Sequence, residues 1–267
     1  MNQFAEAKKL FYDDFDLSGY FDSLTFEYAK KELIDTMRAH EVPLIFLLGR
    51  PGTGKSFLLN YIQQKVTSVK VAKYFTHPYY DEKEFLSTLL SLAGPNVEPD
   101  QFSTEQMIAR LKRTFGGLEY TIFIDEAQLL TEEQVEMIRI LSDQKIFQFV
   151  LAMHRKEGDY ILSKEHFMSR TTKRILLEGL SDKEIARYIE HRLLANNLSD
   201  VATMFKKQHA GFIHAYSQGN FRTTKKLLKT VLEILNIANR EGYRKYSKIG
   251  KPTLTMAAID TGLIDVK

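Results

Sequence analysis

The stretch LIFLLGRPGTGKSFLLNYIQQK, residues 44–65, decides the reading of this chain. Its first five residues, Leu44–Leu48, are apolar and short enough for a buried strand. They run directly into Gly49, Arg50, Pro51, Gly52, Thr53 and Gly54, and then into Lys55, Ser56 and Phe57, where a helical pattern begins. The order strand, loop, helix is the context that the P-loop pattern G-x-x-x-x-G-K-[ST] requires. Glycines let the backbone curl until its amides point at phosphate oxygens, and the helix N-terminus adds a favourable dipole. Residues 49–57 are therefore candidate nucleotide-binding residues. Lys55 is placed to reach the β- and γ-phosphates. Ser56 is placed to offer its hydroxyl to magnesium, which prefers hard oxygen ligands and keeps several waters. The implied cofactors are ATP and Mg²⁺.

A second stretch, TIFIDEAQ at residues 121–128, delivers Asp125 and Glu126 to the carboxyl end of an apolar strand. Open α/β sheets bind ligands at that end of their strands. The pair lies about 70 residues beyond the loop and reads as a Walker B arrangement. Asp125 is the expected magnesium ligand, through water. Glu126 is the expected catalytic residue, orienting and polarising the water that attacks the γ-phosphate.

Working outward, the first two thirds of the chain alternate short apolar runs with amphipathic stretches, the pattern of a parallel sheet covered by helices. Strands are expected at Leu44–Leu48, Val69–Phe75, Tyr120–Ile124 and Phe147–Met153. Thr131 with Gln134, Ser103 with Gln106 and Ser181 with Glu184 have the spacing of capping boxes that open helices. From Ser181 onward the pattern is wholly helical, with Ile185, Ile189 and Leu193 on one face and Leu228, Leu232 and Leu235 on another. The fold class is thus α/β, a parallel-sheet nucleotide-binding core followed by a smaller all-helical lid. The expected division is residues 1–180 and 181–267.

Bulk composition agrees with a folded chain of two units: 267 residues, 44% hydrophobic and 27% charged. There is no cysteine, which excludes disulfides and thiolate zinc sites. No run approaches the roughly 18 apolar residues of a membrane span, and the N-terminus has no apolar signal core. The cytoplasm is the expected location. Net charge is only +3, from 37 basic and 34 acidic residues. The stretch from Arg222 to Lys251, however, carries nine Lys or Arg against two Glu, and it is the candidate surface for non-specific DNA binding. No helix-turn-helix or zinc finger is evident, so sequence-specific readout is not expected.

The two motifs and their spacing resemble AAA+ ATPases, and more narrowly the ExeA-type branch (general secretion pathway protein A), with transposition helper ATPases as relatives. YFDSLTFEYAKKEL, VAKYFTHPYYDEKEFLSTLLSLAG and FIDEAQLLTEEQVEMIRILSD look like that branch's opening helix, the strand and helix after its P-loop, and its Walker B block. The resemblance covers roughly residues 15 to 240. It implies an ATPase that binds and hydrolyses ATP with Mg²⁺ as a homo-oligomer. SRTTKRILLEGLSDKEIARYIEHRL is similar to the segment that presents arginines near a subunit boundary. It makes Arg170 the candidate arginine finger and Arg174 the reserve. SQGNFRTTKKLL is similar to sensor 2 and makes Arg222 a candidate γ-phosphate contact. His154 stands where sensor 1 is expected, or Arg155 if the alignment shifts by one. Tyr20 and Phe21 are candidate lining for the adenine pocket.

The branch implies service to an envelope-associated machine for secretion, pilus assembly or DNA uptake, with the protein peripheral at the inner membrane through a partner. Longer members carry a membrane segment after the ATPase, where this chain reads KPTLTMAAIDTGLIDVK, so a membrane-spanning role is not implied. The alternative is a DNA-binding ATPase of the transposition-helper or initiator type, favoured by the basic stretch. A module that binds nucleotide without hydrolysis ranks last, because Lys55, Ser56, Asp125 and Glu126 are all present.

Overall fold

The computed structural model describes residues 3–12, 20–78, 81–94, 98–162 and 172–265. Its contacts divide the chain into two compact units. One comprises Glu27–Arg50 and Gly54–Leu177; the other comprises Met1–Phe26, Pro51–Thr53 and Glu178–Lys267.

The first unit is built on five parallel strands, β1 (Leu44–Leu48), β2 (Lys70–Phe75), β3 (Tyr120–Ile124), β4 (Gln148–Met153) and β5 (Thr172–Leu176). They lie in the order β2-β3-β4-β1-β5. Every residue of β1 and β4 is buried, because these strands have a neighbour on each side and helices on the sheet faces, the environment that selects continuous apolar runs. Leu48 pairs with Met153, and Ile124 with Leu151. This register aligns the carboxyl ends of β1, β3 and β4. Apolar residues of β1, β3 and β4 pack with Phe85, Leu89, Leu111, Ile138 and Leu141 in one core cluster.

Around this sheet run the helices α2 (Leu24–Ala39), α3 (Lys55–Lys65), α4 (Glu82–Leu90), α5 (Thr104–Phe115), α6 (Glu132–Asp143) and α7 (Arg155–Leu162). The first, α1 (Gln3–Lys9), precedes them in the chain. Two of these starts were legible from spacing. Ser103 and Gln106 form a full capping box on α5, and Thr131 and Gln134 form one on α6, so helix amides that have no partner within the helix are satisfied.

Strand β5 is an addition to the four expected strands. Its sequence is TKRIL, and Ile175 is its one buried residue. An edge strand with a solvated side has no need of an apolar run, so the hydrophobic pattern that marks central strands is missing. Arg174, the reserve finger, lies within this strand, with Nη1 3.8 Å from Asp159 Oδ1.

The second unit contains α8 (Asp182–Leu194), α9 (Ser199–Met204), α10 (Lys207–Ser217), α11 (Phe221–Glu241) and α12 (Lys251–Asp260). The Ser181–Glu184 capping box opens α8 as expected. Leu227, Leu228, Val231, Leu232 and Leu235 form the buried stripe of α11. The N-terminus departs from the expected division. Residues 1–26 group with this helical unit rather than with the sheet. The cause is apolar burial: Ala7, Phe11 and Phe21 belong to the cluster formed by Tyr188, Ile189 and Leu228. Phe11 and Phe21 meet the Tyr188 ring edge-on, at 5.9 and 5.3 Å between centroids. Phe21, expected as adenine lining, is thus a core residue of the helical unit. Tyr20 packs against Phe26 at 5.6 Å.

Candidate nucleotide site

The geometry of the site begins with the loop after β1. Gly54 caps α3 in the left-handed region, at φ +104°, and Gly52 has φ +77°. Residues with a Cβ adopt this region at a cost, which is why glycines stand there. Lys55 opens α3, and its side chain is buried, 7% exposed. Its Nζ donates to Gly49 O at 3.0 Å and to Arg50 O at 3.2 Å. The loop therefore curls around this ammonium, for which an anionic phosphate is a stronger partner than a neutral carbonyl. Gly49 N donates to Met153 O at 3.4 Å, which ties the loop's root to the end of β4. Ser56 follows in the first turn of the helix.

Pro51–Thr53, the crest of the loop, is counted with the helical unit. Within that unit Arg222 N donates to Gly52 O at 3.2 Å, and the Asn220 side-chain amide donates to Pro51 O. Asn220 is also the N-cap of α11, its Oδ1 accepting from Thr223 N at 3.0 Å. Arg222 thus stands in the first turn of α11, with its backbone bonded to the loop crest.

Asp125 follows β3 directly and is buried, 4% exposed. Three bonds fix it. Its N–H donates to Phe75 O at 2.9 Å; its Oδ2 accepts from the Tyr74 hydroxyl at 3.0 Å; and its Oδ1 accepts from Glu126 N at 2.9 Å. Tyr74, at the end of β2, was not singled out by sequence, since 51 residues separate it from Asp125. Burial, then the Asp125 charge, raises the Tyr74 pKa far above its ordinary value. The phenol therefore stays protonated and keeps donating at any ordinary pH. Outer partners of this kind orient a metal-binding carboxylate. With Asp125 as the magnesium carboxylate expected from the sequence, replacing Tyr74 by Phe would raise the magnesium concentration needed for half-maximal turnover roughly 10-fold. A magnesium titration of the variant checks this, and an unchanged requirement would refute the role.

Glu126 has φ +49° and begins the single turn Ala127–Leu129. A left-handed glutamate is uncommon, and such conformations concentrate at functional sites. The Gln128 amide donates to Glu126 Oε2, and His154 Nε2 lies 4.0 Å from the same oxygen. His154 follows β4 immediately, whereas Arg155 opens α7 with Nε 3.9 Å from Asp159 Oδ2. Of the two sensor 1 alternatives, His154 is the one beside Glu126. Arg170 lies outside the described residues.

The donor types suit magnesium with a nucleotide: a buried carboxylate directly after β3, and a serine hydroxyl in the first turn of α3 beside a glycine-rich loop. Among the described residues no cluster of three or more His, Asp or Glu forms a closed metal cage. Among the described residues no helix is long and apolar enough to cross a membrane.

Comparison with known proteins agrees with this architecture. Residues 38–161 match the family described as AAA domain. The chain is similar to the Drosophila ORC solved bound to DNA, with TM-score 0.63 and 13% identity over 98% of this chain and 66% of that one. It is similar to a Walker-type ATPase of Pyrococcus abyssi, with TM-score 0.60 and 16% identity over 95% and 77% of the two chains. It is also similar to the Aeropyrum pernix ORC2 protein in ADPNP-ADP complexes, with TM-score 0.56 and 12% identity over 97% and 72%. The chain spans about two thirds to three quarters of the length of these relatives. No curated protein sequence matches it. The fold is that of AAA+ P-loop proteins.

Proposed function

We propose that this chain is a magnesium-dependent ATP hydrolase that acts on DNA as a homo-oligomer. The observation that carries the hydrolase reading is the Asp125–Glu126 pair, held at the carboxyl end of β3 by Tyr74 and Gln128 in the same sheet whose β1 feeds the Lys55 loop. Lys55 would bind the β- and γ-phosphates, and the amino end of α3 would face the same charge. Magnesium on the Ser56 hydroxyl, and on Asp125 through water, would neutralise charge on the phosphates. Glu126 would orient a water and take its proton as the water oxygen bonds the γ-phosphorus. The bond from that phosphorus to the bridging oxygen breaks, and ADP leaves with the electron pair. Arg222 remains the proposed γ-phosphate contact, and an arginine in trans, Arg170 by resemblance, the proposed finger.

Two observations favour DNA as the object. One similar structure is an ORC bound to DNA. The other is how the basic stretch is used. In its first part, Lys225 donates to Tyr12 O at 3.4 Å, Lys226 to Thr261 O at 3.1 Å, and Lys229 lies 4.4 Å from the Tyr12 ring centroid. These cations serve the fold of the helical unit. In residues 240–251, five Lys or Arg stand against one Glu, and Arg240, Arg244, Lys245, Lys248 and Lys251 are all exposed beside the exposed Tyr243. Such a segment fits phosphates without reading bases. The envelope-machine expectation, and the narrower likeness to the ExeA-type branch, gain no support from the comparisons.

The test is fluorescence anisotropy of a labelled duplex. With about four phosphate contacts per subunit, affinity is expected to fall roughly 100-fold between 50 and 200 mM salt. The triple variant Arg244→Glu, Lys245→Glu, Lys248→Glu is expected to lose binding. No binding by the unaltered protein at 50 mM salt would overturn the DNA reading and return attention to a protein partner.

A further inference from the structure

We infer that Gln128 is a positioning residue for Glu126, an inference that rests on the hydrolase reading above. Glu126 is a part-exposed side chain with several rotatable bonds, and a water-orienting carboxylate is effective only when held in one pose. The left-handed backbone at Glu126 and the tight turn Ala127–Leu129 bring the side chain two residues on back over the carboxylate. There the Gln128 Nε2 donates to Glu126 Oε2. This leaves the other oxygen, Oε1, for the water.

The Gln128 carbonyl supplies a second, independent sign. Its Oε1 is buried and has no hydrogen-bond partner among the described residues. A buried, unsatisfied acceptor is costly, and native structures keep few of them. Turning the amide over would set this oxygen against the Glu126 carboxylate, two acceptors facing each other. The orientation of Gln128 is therefore dictated by the carboxylate at the expense of its own carbonyl, as expected of a side chain serving Glu126 rather than local packing. His154, 4.0 Å from Glu126 Oε2, approaches the same oxygen, so both neighbours lie on one side of the carboxylate.

The experiment measures kcat and KM for ATP, together with affinity for a fluorescent ATP analogue, in wild type, Gln128→Ala, Gln128→Glu, Glu126→Gln and the double variant Glu126→Gln, Gln128→Ala. Single-turnover assays follow the slow variants. Gln128→Ala is expected to lower kcat roughly 10- to 100-fold with KM and analogue affinity unchanged. Gln128→Glu keeps the side-chain size but, ionised, has no N–H to donate, and should lose kcat similarly. In the double variant kcat should equal that of Glu126→Gln alone, because a residue acting only through Glu126 has nothing further to lose. Equal fold-losses from Gln128→Ala in both backgrounds, a change in KM alone, or wild-type kcat in Gln128→Glu would each overturn the inference. If Glu126→Gln loses turnover and Gln128→Ala does not, the inference fails and the hydrolase reading stands. If wild type has no turnover, or Glu126→Gln matches it, both fail.

Discussion

Replacing Glu126 by Gln is expected to lower ATP turnover by roughly 10²- to 10⁴-fold, the usual loss when a positioned proton acceptor is removed, while leaving nucleotide binding intact. The amide has nearly the shape of the carboxylate and can still accept a hydrogen bond, but it cannot take a proton from water. Lys55 Nζ bonds Gly49 O and Arg50 O, contacts that the substitution leaves in place. Phosphate release under saturating ATP and equilibrium binding of a fluorescent analogue separate the two effects. A variant that hydrolyses at the wild-type rate would remove Glu126 from the chemistry.

Lys55→Ala is expected to act at the other end of the site and in the opposite way. Losing one charged partner from a buried phosphate contact costs about 2–5 kcal/mol, which corresponds to roughly a 30- to several-thousand-fold weaker nucleotide affinity. Lys55 is 7% exposed, so its ammonium would meet a phosphate largely away from solvent, where a charge pair is strong. The same substitution also removes donors from two loop carbonyls, so thermal unfolding is measured beside it to show that the fold persists. Nucleotide affinity equal to wild type in a folded variant would contradict the assigned role.

The parts of this architecture that follow local rules were legible in the sequence. The bounds of β1 and β3 agree with the apolar runs, and β2 and β4 begin one residue later than expected. Three capping boxes stand where Ser or Thr precedes Gln or Glu by three residues. Strand β5 was hidden because an edge strand containing Thr172, Lys173 and Arg174 needs little apolar surface. The N-terminal residues were assigned to the wrong neighbour because Phe11 and Phe21 reveal only that they will be buried, and tertiary packing decides against what. Within the site, the motif residues were identifiable as candidates by type and spacing. Tyr74 and Gln128 were not, since each matters through a single hydrogen bond to a motif carboxylate. Gln128 carried a faint signal as the last residue of TIFIDEAQ, whereas Tyr74 depended on the pairing of β2 with β3.

The most direct test of the central claim is phosphate release from ATP by the purified protein, with duplex DNA at low salt, in magnesium and in EDTA, beside Glu126→Gln. Turnover that requires magnesium and collapses in the variant is the predicted result. Release that is absent in magnesium, or that persists equally in EDTA or in Glu126→Gln, would contradict it.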